Sequence, residues 1–168
     1  MDKISKEKRS WNMSRIKSAD TAPELFVRSL LHHAGYRFRL HVKSLPGKPD
    51  IVLPKYKTVI EVRGCFWHMH KNCTQGRVPS TQKSWWEEKL TQNAIRDHNN
   101  YIQLRESGWR IIIVWGCVFK GISNEMKACL DDILLDIIST FLQGAQAQYV
   151  EIDRISCLEI RNKIPLEG

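Results

Sequence analysis

PDIVLPKYKTVIEVRGCFWHMHKNC, residues 49–73, is the stretch on which the reading of this chain turns. Its first half holds two short apolar runs, Asp50 to Leu53 and Thr58 to Val62, joined by Pro-Lys-Tyr-Lys. β-Branched residues dominate both runs and the connection is short, so the pattern predicts an antiparallel hairpin. Asp50 opens one strand and Glu61-Val62-Arg63 closes the other, and antiparallel pairing brings these ends side by side. Glu61 and Arg63, two apart, point to the same face. A carboxylate pair beside a cation suits Mg²⁺, which places charge on a phosphodiester and activates water. The same spacing also arises as a Pro-Asp turn followed by a solvated Glu-Arg pair. Glu24 is a candidate third carboxylate, or simply a first-turn acid that favours the helix dipole.

The second half of the stretch has a different chemistry. Cys65, His68, His70 and Cys73 have the spacing of soft-metal ligands, and structural zinc takes four N or S ligands in two halves. Cys117, after the apolar run Ile111 to Trp115, is the candidate distant ligand. Cys65, His70, Cys73 and Cys117 would form a Cys₃His site and leave His68 for catalysis. Zinc would then fasten an irregular loop and fix Phe66, Trp67 and His68 in place. Cys129 and Cys157 lie on apolar patterns and read as core.

Outward from this stretch, residues 1–20 read as a basic arm in which Trp11 and Met13 stand out. Thr21 caps a helix that runs to about Ala34, where Gly35 ends it. Tyr36 to Val42 alternates like a strand. Ser80 or Thr81 caps a long helix to about Ser107, with Trp85, Leu90, Ile95, Tyr101 and Leu104 as its apolar positions and Trp86 one step round. Arg110 to Trp115 is a buried strand, and Ile122 to about Leu142 is an amphipathic helix. Residues 147–168 add one or two short strands. The order predicts one α/β domain over residues 1–168, a mixed central sheet flanked by helices.

The net charge is +8, but residues 1–120 carry 22 Lys and Arg against 10 Asp and Glu, while residues 121–168 carry 4 against 8. Basic excess confined to one part suits a polyanion touching that part, or a solvated basic surface. The opening MDKISKEKR has no apolar run and the longest apolar run is too short to span a membrane, so a cytoplasmic location is expected. Five cysteines there read as metal ligands or buried thiols rather than disulfides. The doublets Phe66-Trp67 and Trp85-Trp86 flank the metal stretch, and large aromatics on a charged surface can wedge between bases. Lys89, Asn93, Arg96 and Asp97 share one face of the long helix, which can read bases or phosphates or simply be solvated.

Taken together, WNMSRIKSADTAPE, LPGKPDIVLP, GCFWHMH, VP-x₅-WW-x₂-K, NAIRD and GWRIIIVWGC resemble the very-short-patch-repair (Vsr) endonucleases over roughly residues 8–118. The resemblance implies a restriction-endonuclease-like core with a structural zinc. It implies a monomer that nicks one strand of duplex DNA 5′ to the T of a T:G mismatch left by deamination of 5-methylcytosine. On the family pattern Asp50 binds Mg²⁺ together with the Val62 carbonyl, and His68 is the general base. Glu24 supports the site through water, and Asp97 sits close to His68. Cys65, His70, Cys73 and Cys117 match the zinc ligands. Phe66, Trp67 and Trp86 match intercalating aromatics, and Met13 a residue that wedges in from the minor groove. Lys89 and Asn93 fall where the family contacts the mismatched pair. Mismatch-repair proteins are possible partners on the same grounds.

Two departures stand out. The best-known members have a histidine at Arg63 and an apolar residue at Glu61, and the Cys65–Cys73 loop is one residue longer. Arg63 stays protonated and so stabilises phosphate charge rather than acting as a base, while Glu61 joins Asp50 as a metal ligand. Residues 119–168 extend the resemblance no further. Three functions fit the residues: the mismatch-specific nicking enzyme, a restriction-type endonuclease that cuts unmismatched duplex, and a zinc-stabilised DNA-binding protein without catalysis. The third has no need of Asp50, Glu61 and His68 together.

Overall fold

The structure is a computed structural model that describes residues 8, 11, 15, 19–120, 123–144 and 146–161. Among them, helix α1 (Ala22–His33) is followed by strands β1 (Arg39–Leu40), β2 (Ile51–Leu53) and β3 (Thr58–Arg63), then by the long helix α2 (Lys83–Glu106). Strand β4 (Arg110–Trp115), helix α3 (Asn124–Gln143), strand β5 (Tyr149–Ile152) and helix α4 (Arg154–Arg161) complete the order. The strands form one sheet in the order β1-β2-β3-β4-β5. The first three are antiparallel, whereas β4 runs parallel to β3 and β5 parallel to β4.

The hairpin forms as the sequence requires. Pro54–Tyr56 make a 3₁₀ turn and Lys57 takes a left-handed φ of 48°, which returns the chain as β3. Ile51 then pairs with Ile60, and Leu53 with Thr58. Alternation sends Ile51, Leu53, Ile60, Ile112, Val114 and Ile152 to one face, where α1, α3 and α4 cover them with Val27, Leu31, Leu130, Ile133, Leu134 and Cys157. Val52, Val59, Ile111, Ile113 and Trp115 take the other face, packed with Cys65, Leu104 and Cys117. From Ile111 to Trp115 β4 is apolar throughout because both of its faces are covered.

Four expectations are corrected. Of Tyr36 to Val42 only Arg39–Leu40 pair. His41 adopts φ 46° and ends the strand, while Tyr36 and Phe38 pack on the core outside it. The long helix starts without a Ser or Thr cap: Gln82 precedes it in a left-handed conformation, φ 54°. Its buried stripe is Trp86, Leu90 and Leu104, with Trp85 and Ile95 both 50% exposed. One stripe continues through Asn93 and Asp97, three and seven residues on from Leu90, and Asn100, three beyond Asp97, so its middle is polar where it covers the site rather than the core. Among its described residues the C-terminal stretch holds one strand and a helix rather than strands alone. Met13 and Ile122 lie outside the described residues.

Candidate active site and metal centre

Two strand ends, one loop and one helix build the first site. Asp50 shares the sheet face of Val52, and Glu61 and Arg63 share that of Val59, so all three lie under α2. The Asp50 Oδ2 accepts the Val62 N–H at 2.8 Å, which ties the entry of β2 to the exit of β3. Burial first, then the carboxylates of Glu24 and Glu61, push the Asp50 carboxyl up to about 6 against the pull of the Val62 N–H and His41. A half-buried carboxylate among carboxylates is an oxygen donor set short of a cation, which fits a hard divalent metal. Asp50 and Glu61 with the Val62 carbonyl are the residues that would hold it.

Arg63 answers part of this charge. Its Nε and Nη2 reach Glu61 Oε2 at 2.8 and 2.6 Å. Burial works against its positive charge, yet Glu61, with Asp97 and Tyr149, outweighs burial and holds the guanidinium above its ordinary value. The side chain is thus a permanent cation at the edge of a cavity of about 460 Å³ lined by Glu24, Asp50, Glu61, His68 and Asp97 among others.

His68 enters this cavity from the loop after β3, where its N–H bonds the Gly64 carbonyl at 3.2 Å. Its Nδ1 lies 2.5 Å from Asp97 Oδ2 on α2. Burial raises the Asp97 carboxyl, but the hydrogen bond and charge of His68, then Arg63 and Arg96, outweigh it and hold Asp97 below the usual carboxylate range. A carboxylate on Nδ1 places the proton there and leaves the Nε2 lone pair as an acceptor. Spacing gives Asp97 as part of a helical face, and the resemblance puts it close to His68. Asn93 and Asp97 turn towards the site while Lys89 and Arg96 of that face stay exposed.

Glu24 is buried and fully engaged. It accepts from the Asp20 N–H, the Thr21 hydroxyl and the Arg28 guanidinium at 2.9, 2.8 and 3.0 Å. Arg28, four residues on, also bonds Asp20 and sits 3.0 Å from His41 Nε2. Sequence reasoning missed Arg28 and His41. The i, i+4 spacing of Glu24 and Arg28 was available as a signal, whereas nothing local marks His41.

The aromatic residues gather next door. Phe66 meets Trp86 at 5.0 Å and Trp67 meets Trp86 at 5.9 Å, both edge to face. Trp86 is 7% exposed and forms the floor of the cluster, while the exposed Trp85 carries Lys89 Nζ 5.1 Å over its ring. Asn93 Nδ2 donates to the Trp67 carbonyl at 3.2 Å and so anchors the loop to α2.

The second centre fits a transition metal. One ligand atom each from Cys65, His70, Cys73 and Cys117 lie within 4.8 Å of one another. No disulfide joins these thiols, and Cys65 and Cys117 are buried. Burial first, then the neighbouring Cys117, pushes the Cys65 thiol up to about 12, a cost that a cation would remove. Burial holds the His70 imidazole below its ordinary value and therefore neutral, as a ligand must be. Three sulfurs and one nitrogen suit zinc. Among the described residues no helix is long and apolar enough to cross a membrane.

The family model described as DNA mismatch endonuclease Vsr matches residues 1–75. The chain is 44% identical over 133 residues to the type II nicking enzyme V.XorIIP of Xanthomonas oryzae pv. oryzae, covering 79% of this chain and 96% of that protein. It is 41% identical over 143 residues to the DNA mismatch endonuclease Vsr of Escherichia coli, covering 85% and 90%. It is also 44% identical over 120 residues to the type II nicking enzyme V.NmeAIP of Neisseria meningitidis, covering 71% and 85%.

Proposed function

Because the chain belongs to the Vsr family of DNA mismatch endonucleases, we propose that it nicks one strand of duplex DNA 5′ to the T of a T:G mismatch, with Mg²⁺ at Asp50, Val62 and Glu61 and zinc at Cys65, His70, Cys73 and Cys117. The observation that carries this reading is the loop from Gly64 to Cys73. It presents His68 to Asp97 on one side and Phe66 and Trp67 to Trp86 on the other. A group that moves protons and a group that recognises disturbed stacking are thereby held by one short segment.

Mg²⁺ at the carboxylates would supply positive charge to the scissile phosphate and lower the pKa of an attacking water. His68, oriented by Asp97, takes that water's proton on Nε2. Arg63 offers its guanidinium to a phosphate oxygen. Glu24, fixed by Arg28 and Thr21, keeps the negative field at Asp50 that calls for the cation. Phe66 and Trp67 enter the stack beside the mismatch, Trp86 supports them from below, and Lys89 and Asn93 lie along the same edge of α2. The mixed sheet with Asp50 at its hairpin supports a restriction-endonuclease-like core.

The test uses two labelled duplexes that differ only at one T:G pair, in several flanking contexts, with Mg²⁺ and denaturing gels. A single nick 5′ to the mismatched T is expected, absent from the perfect duplex and from Asp50→Ala protein of unchanged zinc content. Cutting of both strands of both duplexes would establish a restriction-type enzyme instead. Tight binding without any nick would leave a DNA-binding protein.

A further inference from the structure

Two acids of the C-terminal stretch, Glu151 and Asp153, converge on the second metal centre. His70 Nδ1 lies 3.6 Å from Cys117 Sγ, so this nitrogen faces the thiols. The opposite nitrogen, Nε2, lies 3.6 Å from Asp153 Oδ2. The imidazole is stacked flat on Trp115, with ring centres 4.0 Å apart and planes 4° apart. Trp115 is held in turn: its Nε1–H donates to Glu151 Oε2 at 2.7 Å. Glu151 and Asp153, two apart as β5 ends, therefore fix the ring from two directions, one by its plane and one by its edge.

Asp153 is itself anchored. Its Oδ1 accepts the Ser156 N–H at 2.8 Å at the start of α4, and its own N–H donates to the Ser156 hydroxyl at 2.9 Å. One carboxylate oxygen is thus committed to the helix, and the other is aimed at His70. We infer that Asp153 is a positioning residue of the metal centre, which receives the His70 Nε2–H and so turns Nδ1 onto a zinc ion shared with Cys65, Cys73 and Cys117. At 3.6 Å the contact is longer than a hydrogen bond, and a shift of roughly 0.5 Å brings it into range. A metal on Nδ1 drives that shift, because it confines the proton to Nε2 and makes the N–H a stronger donor. β5 and α4 then close over the zinc loop, and the loop that carries His68 is braced by residues about 85 positions downstream. This inference rests on the metal centre and not on the cutting reaction.

The experiment measures zinc retention of the full chain against a chromophoric chelator, with free Zn²⁺ as the only ligand. Asp153→Asn keeps an oxygen for the Ser156 N–H but puts an NH₂ group, which cannot accept, towards His70. Asp153→Ser keeps a helix cap and is too short to reach. Both should bind zinc about 10- to 100-fold more weakly, the usual loss when a partner of a ligating histidine is removed. Their melting temperatures at saturating zinc should stay near that of the parent. Long-range ¹H–¹⁵N spectra should show a protonated Nε2 at His70 in the parent and a changed Nε2 signal in both variants. Zinc affinity equal to the parent's in both variants would overturn the inference. So would a loss of affinity matched by a loss of melting temperature at saturating zinc, since that is the signature of a helix cap alone. A parent that takes up no zinc would overturn it together with the metal centre, and nicking by that parent would show that the functional proposal stands apart.

Discussion

At the scale of the residue, Asp50 shows what the site gives up in stability. Its carboxyl is pushed from 3.8 to about 6, chiefly by burial. An acid whose pKa is raised on folding holds its proton more tightly in the folded state, so ionisation opposes folding. The penalty is complete above about pH 6 and absent below about pH 4, and two pKa units correspond to roughly 2–3 kcal/mol. Asp50→Asn keeps an acceptor for the Val62 N–H and removes the charge. The variant should therefore be about 1–2 kcal/mol more stable than the parent in urea at pH 7.5 with EDTA, and equal to it near pH 4. Mg²⁺ should stabilise the parent alone. A difference that does not change with pH would refute this account of Asp50.

At the scale of the element, α3 ends in an unusual way. Arg110 on β4 sends its guanidinium to the carbonyls of Phe141 and Gly144 and to that of Ala147, and lies over the Phe141 ring. These are carbonyls that a helix C-terminus leaves without partners, and a cation is favoured there. Arg110→Ala should cost about 1–3 kcal/mol in urea denaturation and leave the zinc content unchanged.

The elements also show what can be read from a chain. The hairpin, β4 and α3 were legible because their apolar residues repeat with a single period and face a single environment. α2 was misread at Trp85 and Ile95 because its inward stripe passes from core to site and back, so the middle of the stripe is Asn93, Asp97 and Asn100. Polarity there marks a buried function rather than an outer face. That Asp50 and His68 line one cavity, and that Cys65, His70, Cys73 and Cys117 gather, was legible from local spacing and resemblance. Arg28, His41 and Asp153 were not, since their partners are fixed only by tertiary contact.

At the scale of the whole molecule, charge is divided along the chain, with the basic excess in residues 1–120 and the acidic excess beyond. Two acids of the second part are engaged within the protein, Glu151 at Trp115 and Asp153 at His70. Binding to a duplex should therefore show the salt dependence of a strongly basic ligand. Raising salt from 50 to 200 mM should weaken binding by roughly 10²-fold or more. Filter binding or fluorescence anisotropy across that range gives the slope directly, and a flat response would exclude the basic part as the contact surface.

The parallel pairing of β3 with β4 joins residues far apart, Thr58 with Arg110 and Arg63 with Trp115. Such distant partners meet late when a chain folds, because a long loop must close before its contacts reward it. The residues of the two proposed sites straddle that closure: Asp50 and His68 lie before α2, Asp97 lies within it, and Cys117 lies beyond β4. A growing chain can join Asp50 to Val62 through the local hairpin, but His68 meets Asp97 only once α2 has been made. A chain cut short before α2 would therefore carry its acid without a positioned histidine.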